Sequence, residues 1–297
     1  MKRDHWQREI AKLDPETDYE QITRIVAQYE FPWDSQQALS FALFRTYAVP
    51  SIGGLLYDTG QFTEDVQKRH DDTAIILEDI ADKGMESREG RAGIRRMNQM
   101  HGSYNISNDD MRYVLSTFVV TPFRWNDRYG WRRATDDERL STVRYYQRLG
   151  RLMGIKDIPD TFQAFAELMD NYERDTYVFD RKARAVADST LDLFSTFYPR
   201  PFRKQMRRFA IALLDDNVRE AFGYDRPSPL MSKLAHGSLR WRGRLIRFFP
   251  ARRKPSLLKN THRIRSYPNG YLIEHLGTFP ESMPEIPQEP VLKAVAS

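Results

Sequence analysis

The chain has 297 residues, of which 40% are hydrophobic, 29% charged and 12% aromatic, a globular composition that excludes wholesale disorder and low-complexity architecture. Cysteine is absent, which excludes disulfide frameworks, iron–sulfur clusters, a thiolate-ligated haem and a cysteine nucleophile. The net charge of +5 is uneven: Arg200 to Arg265 carries 18 Lys or Arg against four acids and leaves an acidic remainder, so the C-terminal third invites an anionic lipid surface or nucleic acid.

Helical periodicity dominates the chain in order. Ile22, Ile25, Val26 and Tyr29 recur at i, i+3, i+4 and i+7 between Asp18 and Glu30, and Pro32 ends that element. Asp34 and Ser35 can cap a second helix through Ala38, Phe41, Ala42 and Phe44, closed by Pro50. The apolar run Pro50–Tyr57 contains Gly53 and Gly54, which permit close approach to another backbone or a flat ligand. A long helix is predicted from Thr63 to about Asp82, with Gly84 as its stop, and another from Ser87 to His101, ended by Gly102. Ser107 caps an apolar segment, Asn108 to Arg128, with Pro122 as an expected kink. Thr135 and Glu138 form a capping-box signature. Further helices are predicted from Pro159, over Asp180–Phe197, from the Pro199-Arg-Pro201 break to Phe222, and over Leu230–Phe249. Tyr267 to Leu276 reads as a turn and a short irregular piece, and the proline-containing tail 281–297 as poorly ordered. No strand alternation, repeat or long linker appears. The expectation is one all-α domain over 1–280.

The common nucleotide, zincin and serine-hydrolase motifs are absent. The opening MKRDHWQREIAKLD has no apolar core and no run approaches about 18 apolar residues, so the expected location is cytoplasmic, with peripheral contact to membrane. Three constellations stand out. His101 ends a helix whose face also carries Ile94 and Met97, a setting that can hold an axial imidazole, although the residues alone favour a protonated histidine at a helix C-terminus. Arg69, Asp72 and Thr73 lie at i, i+3 and i+4, on one face with Ile76 and Leu77. They could anchor a cofactor carboxylate or steer bound oxygen, or form a surface ion pair with a solvated hydroxyl; His70 and Asp71 fall on the other, solvent side. Finally, Leu239 to Lys254 has seven basic residues, no acid, and Trp241, Leu245, Ile246, Phe248 and Phe249 between them. It suits an anionic membrane surface or a packed helix with arginines outward; no fold signature supports nucleic acid.

The stretch Arg69-His-Asp-Asp-Thr73 followed by Met-Asn-Gln-Met-His101 resembles the rubber oxygenase (latex clearing protein) family, and more closely its MpaB branch. Ile106-Ser-Asn-Asp-Asp110, Tyr113-Val-Leu-Ser-Thr-Phe118, Pro122-Phe-Arg-Trp125, Tyr145-Tyr-Gln-Arg-Leu-Gly150 and Met153-Gly-Ile-Lys-Asp-Ile-Pro159 carry the same resemblance, over about 41–198. It implies a globin-like helical fold holding a b-type haem, which uses dioxygen to cleave carbon–carbon double bonds of isoprenoid chains. His101 matches the iron ligand, and Arg69 and Thr73 match the family's residues near the haem. Asp72 stands where rubber oxygenases have a Lys, and Ile52-Gly-Gly54 replaces their upstream distal base. The reading is a haem-dependent oxygenase acting on a prenyl-type or other hydrophobic alkene. The catalytic candidates are Arg69, Asp72 and Thr73, the haem-binding set is His101, Arg69 and Thr73, and the basic extension 200–265 contacts membrane through 239–254. The alternatives are a haem-binding protein without oxygenase activity and a basic helical adaptor with no cofactor.

Overall fold

The computed structural model describes residues 1–277; the tail expected at 281–297 lies outside the described residues. Fourteen α-helices and no strand occur among them, as the periodicity requires. In chain order these are α1 (His5–Ile10), α2 (Tyr19–Ile25), α3 (Pro32–Thr46), α4 (Pro50–Asp58), α5 (Gln61–Glu64), α6 (Val66–Lys83) and α7 (Arg88–Gly102). The second half adds α8 (Asn108–Tyr129), α9 (Asp136–Leu152), α10 (Phe162–Thr176), α11 (Arg181–Ser195), α12 (Arg203–Leu213), α13 (Asp216–Ala221) and α14 (Pro229–Ile246).

Local signals set many of the ends. Ser87 Oγ accepts the Gly90 N–H at the start of α7, and Ser107 Oγ accepts that of Asp110 at the start of α8. The Thr135–Glu138 capping box is complete in both directions at α9, satisfying donors that the first turn leaves without helical partners. Gly84 ends α6 at φ 88°, a conformation in which a side chain would be strained.

Helix α8 is the axis of the fold, packed by α3, α9, α10 and α14. Its Tyr113, Val119 and Val120 are fully buried, and so are Ser116 and Thr117. Those two hydroxyls are satisfied within the helix, on the carbonyls of Arg112 and Val114, which lets a helix be buried all round. Burial of each large apolar side chain contributes about 1.5–3 kcal/mol. Pro122 lies inside α8 without ending it.

Three expectations need correction. The single helix predicted from Thr63 breaks at Asp65, where φ is −133°, because Phe62 turns inward against Tyr47 (5.3 Å between rings) and anchors α5 to α11. The helix predicted to run to Phe222 breaks between α12 and α13, where Leu214 is buried and the Asp215 carboxylate receives Arg45 (3.2 Å) and Arg128 (2.9 Å). Asp34 does not cap α3. Its carboxylate is buried under Trp125 Nε1 (3.1 Å) and Arg242 Nη1 (2.9 Å), and burial raises its pKa despite these donors. The glycine run in α4 does make a close approach, but to protein: a Cβ at Gly53 would lie 2.2 Å from the Tyr47 carbonyl and 2.7 Å from Ala183 Cβ on α11.

Candidate active site

One and a half turns of α6 point polar groups in three directions. The first direction holds Arg69 and Thr73. Arg69 Nη1 donates to Thr73 Oγ1 at 2.7 Å, and Thr73 Oγ1 donates to the Arg69 carbonyl at 2.9 Å. The guanidinium lies 5.4 Å from the Phe62 ring and beside Tyr47 and Tyr104. Burial lowers its pKa, opposed mainly by Tyr47 and Asp72. Among the described residues it forms no salt bridge, so a half-buried cation is held by one neutral hydroxyl and aromatic faces. Such a charge is under-compensated and favours an anion.

His101, at the end of α7, completes this region. Burial and the nearby Arg69 cation push its imidazole pKa down to about 4, so the ring is neutral at physiological pH. Its Nδ1 is buried and has no hydrogen-bond partner. Met97 and Met100 on the same helix are buried against Ile75, Ile76 and Tyr145. The helix-dipole reading, which favours the imidazolium, is therefore overturned by desolvation.

The second direction holds Asp72. Its carboxylate accepts from Lys68 Nζ (2.7 Å) and from the Tyr267 hydroxyl. Helical spacing placed Asp72 with Arg69 and Thr73; its side chain instead turns to the C-terminal segment. The third direction holds His70 and Asp71, which were expected in solvent. Asp71 is fully buried: its Oδ2 accepts the backbone N–H groups of Arg265 and Ser266, both at 2.9 Å, and its Oδ1 takes Gln67 (2.8 Å) and His70 Nδ1 (3.0 Å). Burial pushes the carboxyl up, but His70 and the two backbone donors outweigh it, so its pKa lies below the ordinary value.

These contacts belong to a strap that the periodicity left as an irregular piece. Residues 257–277 run along the acidic side of α6. Glu78 accepts the Leu258 and Lys259 N–H groups, and Asp79 accepts Lys259 Nζ (2.6 Å) and the Tyr271 hydroxyl (2.8 Å). The sequence signal was present as Asp71, Asp72, Glu78 and Asp79 on one helix and a basic, tyrosine-containing segment far downstream.

A second polar centre was missed. Arg45 on α3 makes a bidentate pair with Glu173 on α10, at 2.5 and 2.8 Å. Glu173 also accepts from Tyr113 (3.1 Å) and Asn217 (2.8 Å). Among the described residues no three His, Asp or Glu side chains converge on a position that could hold a bare metal ion.

Helix α14 has two apolar sides. Ala235, Leu239 and Gly243 face inward, and a Cβ at Gly243 would lie 2.3 Å from the Tyr129 carbonyl. Leu230, Leu234, Trp241 and Phe248 face outward at 73%, 59%, 62% and 85% exposure. Leu230, Leu234 and Trp241 follow i, i+4 and i+11 spacing, one stripe of the helix, and Phe248 stands in the turn just after it. Exposed Lys233, Arg240 and Arg244 flank it. Two arginines of the basic run serve the fold instead: Arg242 lies 3.8 Å over the Trp33 ring and pairs with Asp34, and Arg247 Nε donates to the Trp131 carbonyl at 2.8 Å.

Residues 37–248 match the profile of the catalytic domain described as ER-bound oxygenase mpaB/B′/rubber oxygenase. The chain belongs to this family. The match starts near the expected 41–198 region and runs on through the basic helix α14. Curated relatives include the ER-bound oxygenase mpaB′ of Penicillium brevicompactum, 29% identical over 80% of this chain and 60% of the relative. The ER-bound oxygenase mpaB of Penicillium roqueforti is 30% identical over 72% of this chain and 78% of the relative. That of Penicillium brevicompactum is 32% identical over 61% of this chain and 51% of the relative. The chain thus spans 60% of the length of the first relative and about half that of the third. Membership places His101, Arg69 and Thr73 inside the catalytic domain of an oxygenase family.

Proposed function

We propose that this protein is a haem-dependent oxygenase that uses dioxygen on an isoprenoid or other hydrophobic alkene. The observation that carries the proposal is His101: a half-buried imidazole kept neutral, with a buried, unpartnered Nδ1, beside a cation that forms no salt bridge among the described residues. A metal held by one protein imidazole needs other ligands, which a porphyrin brings with it. The residues present fit that group. His101 would ligate its iron, Arg69 would pair with a propionate, and Thr73 would hold Arg69 in place. A bound b-type haem supplies dioxygen activation.

The chain's own contribution is position and dryness. A neutral His101 has a lone pair available without first losing a proton at physiological pH. Phe62 and Tyr47 are buried beside Arg69, and Met97 and Met100 are buried on the helix that carries His101, which keeps the region dry. Asp72 is engaged with Lys68 and Tyr267 and would act by holding the strap to α6. Adding both atoms of dioxygen across a carbon–carbon double bond gives two carbonyl groups and needs no external reductant.

The substrate class accounts for the outer face of α14. Prenyl chains partition into bilayers, and an exposed apolar stripe flanked by cations suits an anionic membrane surface. The relatives' designation as ER-bound agrees with a membrane location. Among the described residues no single helix is long and apolar enough to cross a membrane, so α14 would lie in the interface.

The test is the absorption spectrum of the purified protein. A Soret band in the wild type that is lost or shifted in His101→Ala supports the assignment. Full haem retention with unchanged axial signals in that variant refutes it. Oxygen consumption with a farnesylated aromatic separates an oxygenase from a haem-binding protein of the same fold.

A further inference from the structure

On the far side of α6 from Arg69, a cavity of about 120 Å³ lies between α3, α11, α12 and α14. It shares no lining residue with the His101 region and is independent of the haem assignment. Its walls are aromatic, with Trp33, Phe41, Trp125, Phe194 and Phe209 prominent, and Leu239 closes one side. The volume is close to the roughly 150 Å³ that holds a benzene molecule. Several polar groups in the wall are already engaged, while Gln36, Gln37, Tyr198 and Arg263 add further polar side chains at its edge. Trp125 Nε1 donates to Asp34, the Ser40 and Ser195 hydroxyls donate to helix carbonyls, and Arg207 pairs with Asp188 and Asp192.

His70 is different. Its Nδ1 lies 3.0 Å from Asp71 Oδ1, and its ring is packed edge-on to Phe194 and tilted against Phe197. Asp71 is held below its ordinary pKa and already accepts two backbone N–H groups and the Gln67 amide. An ionised carboxylate accepts hydrogen bonds and cannot donate one, so the shared proton sits on His70 Nδ1. In the neutral ring Nε2 is then a bare acceptor, with no partner among the described residues.

We propose that this cavity binds a neutral, ring-sized alcohol, its apolar body among the aromatic side chains and its hydroxyl donating to His70 Nε2. A hydrocarbon of the same shape leaves that acceptor unpaired. A purely apolar cavity would have the opposite preference, because burying an unbonded hydroxyl is costly.

The experiment is titration calorimetry of the full chain with benzyl alcohol and with its near-isostere ethylbenzene. Wild type should bind the alcohol about tenfold more tightly than the hydrocarbon, the size of one hydrogen bond. His70→Phe keeps the ring and removes the acceptor, and should reverse the preference. Ala210→Phe, which fills the cavity, should abolish binding of both. Circular dichroism checks that each variant is folded. Wild-type preference for ethylbenzene, no binding of either probe, or an unchanged preference in folded His70→Phe overturns the proposal. Unchanged affinities in folded Ala210→Phe would show that the probes bind elsewhere, which also overturns it. If Ala210→Phe does not fold, the wild-type preference and His70→Phe still decide.

Discussion

Replacing Glu173 with Gln should destabilise this protein more than any surface charge change, and the magnitude follows from its surroundings. The substitution keeps the shape and removes the charge. Arg45 and Glu173 side chains are 7% and 2% exposed, so water cannot replace the lost carboxylate. Breaking a buried pair by removing one partner costs about 3–5 kcal/mol. Asp215 remains 3.2 Å from Arg45 Nη1 and compensates in part, which puts the loss near the lower bound, about 3 kcal/mol. For a chain of this size that is a fall in thermal midpoint on the order of 5–10 °C. Removing both charges, as Arg45→Met with Glu173→Leu, should recover much of the loss, since no uncompensated charge stays buried. Tyr113 retains its hydrogen bond to Tyr177 at 2.9 Å in that variant. Thermal unfolding followed by circular dichroism measures all three proteins. A Glu173→Gln midpoint within about 2 °C of wild type, or a double variant as unstable as the single one, would refute the reasoning.

Arg69→Ala should lower haem occupancy, read from the ratio of Soret to protein absorbance, whereas Asp72→Asn should leave that ratio near wild type and speed proteolysis of the strap at 257–277. The Asp71 contribution to stability is present above the ordinary carboxylate pKa of about 4, because its folded pKa is depressed, and is lost as pH falls through the folded value. Hydrogen exchange at Arg265 and Ser266 should therefore accelerate below pH 4 in wild type, and already be fast at neutral pH in Asp71→Asn; equal protection in both proteins at neutral pH would show that Asp71 does not hold the strap. Sedimentation with anionic vesicles should be weakened by salt and by Trp241→Ser with Arg240→Glu and Arg244→Glu, and the protein should not sediment with neutral vesicles; full recovery in the supernatant with both vesicle types would remove the membrane role of α14. Gly243→Ala should cost about 1–3 kcal/mol, measured by denaturant unfolding, because its Cβ has no room beside the Tyr129 carbonyl.

Several features were fixed by the sequence alone. Local chemistry decides helix starts at Ser87, Ser107 and Thr135, because a side-chain oxygen and an amide three residues on need nothing distant. Periodicity gives the all-α class, and ordered motifs around Arg69, Thr73 and His101 gave the family. Helical spacing brought Arg69 and Thr73 together correctly, since residues four apart are neighbours on any helix. What surrounds a helix was decided elsewhere. Asp71 and His70 read as solvent-facing because nothing near them in sequence covers them; residues 265 and 266, almost two hundred positions away, do so. The His101 charge state turned on burial and on Arg69 from another helix, against the local dipole. Glu173 gave no signal because its partner Arg45 lies 128 residues earlier. Arg242 and Arg247 read as part of a uniform basic run, and only the contacts with Asp34, Trp33 and the Trp131 carbonyl give those two a structural role. Spacing fixes which side chains share a face, while only the packed chain fixes what that face meets, because desolvation and pairing are properties of the neighbours.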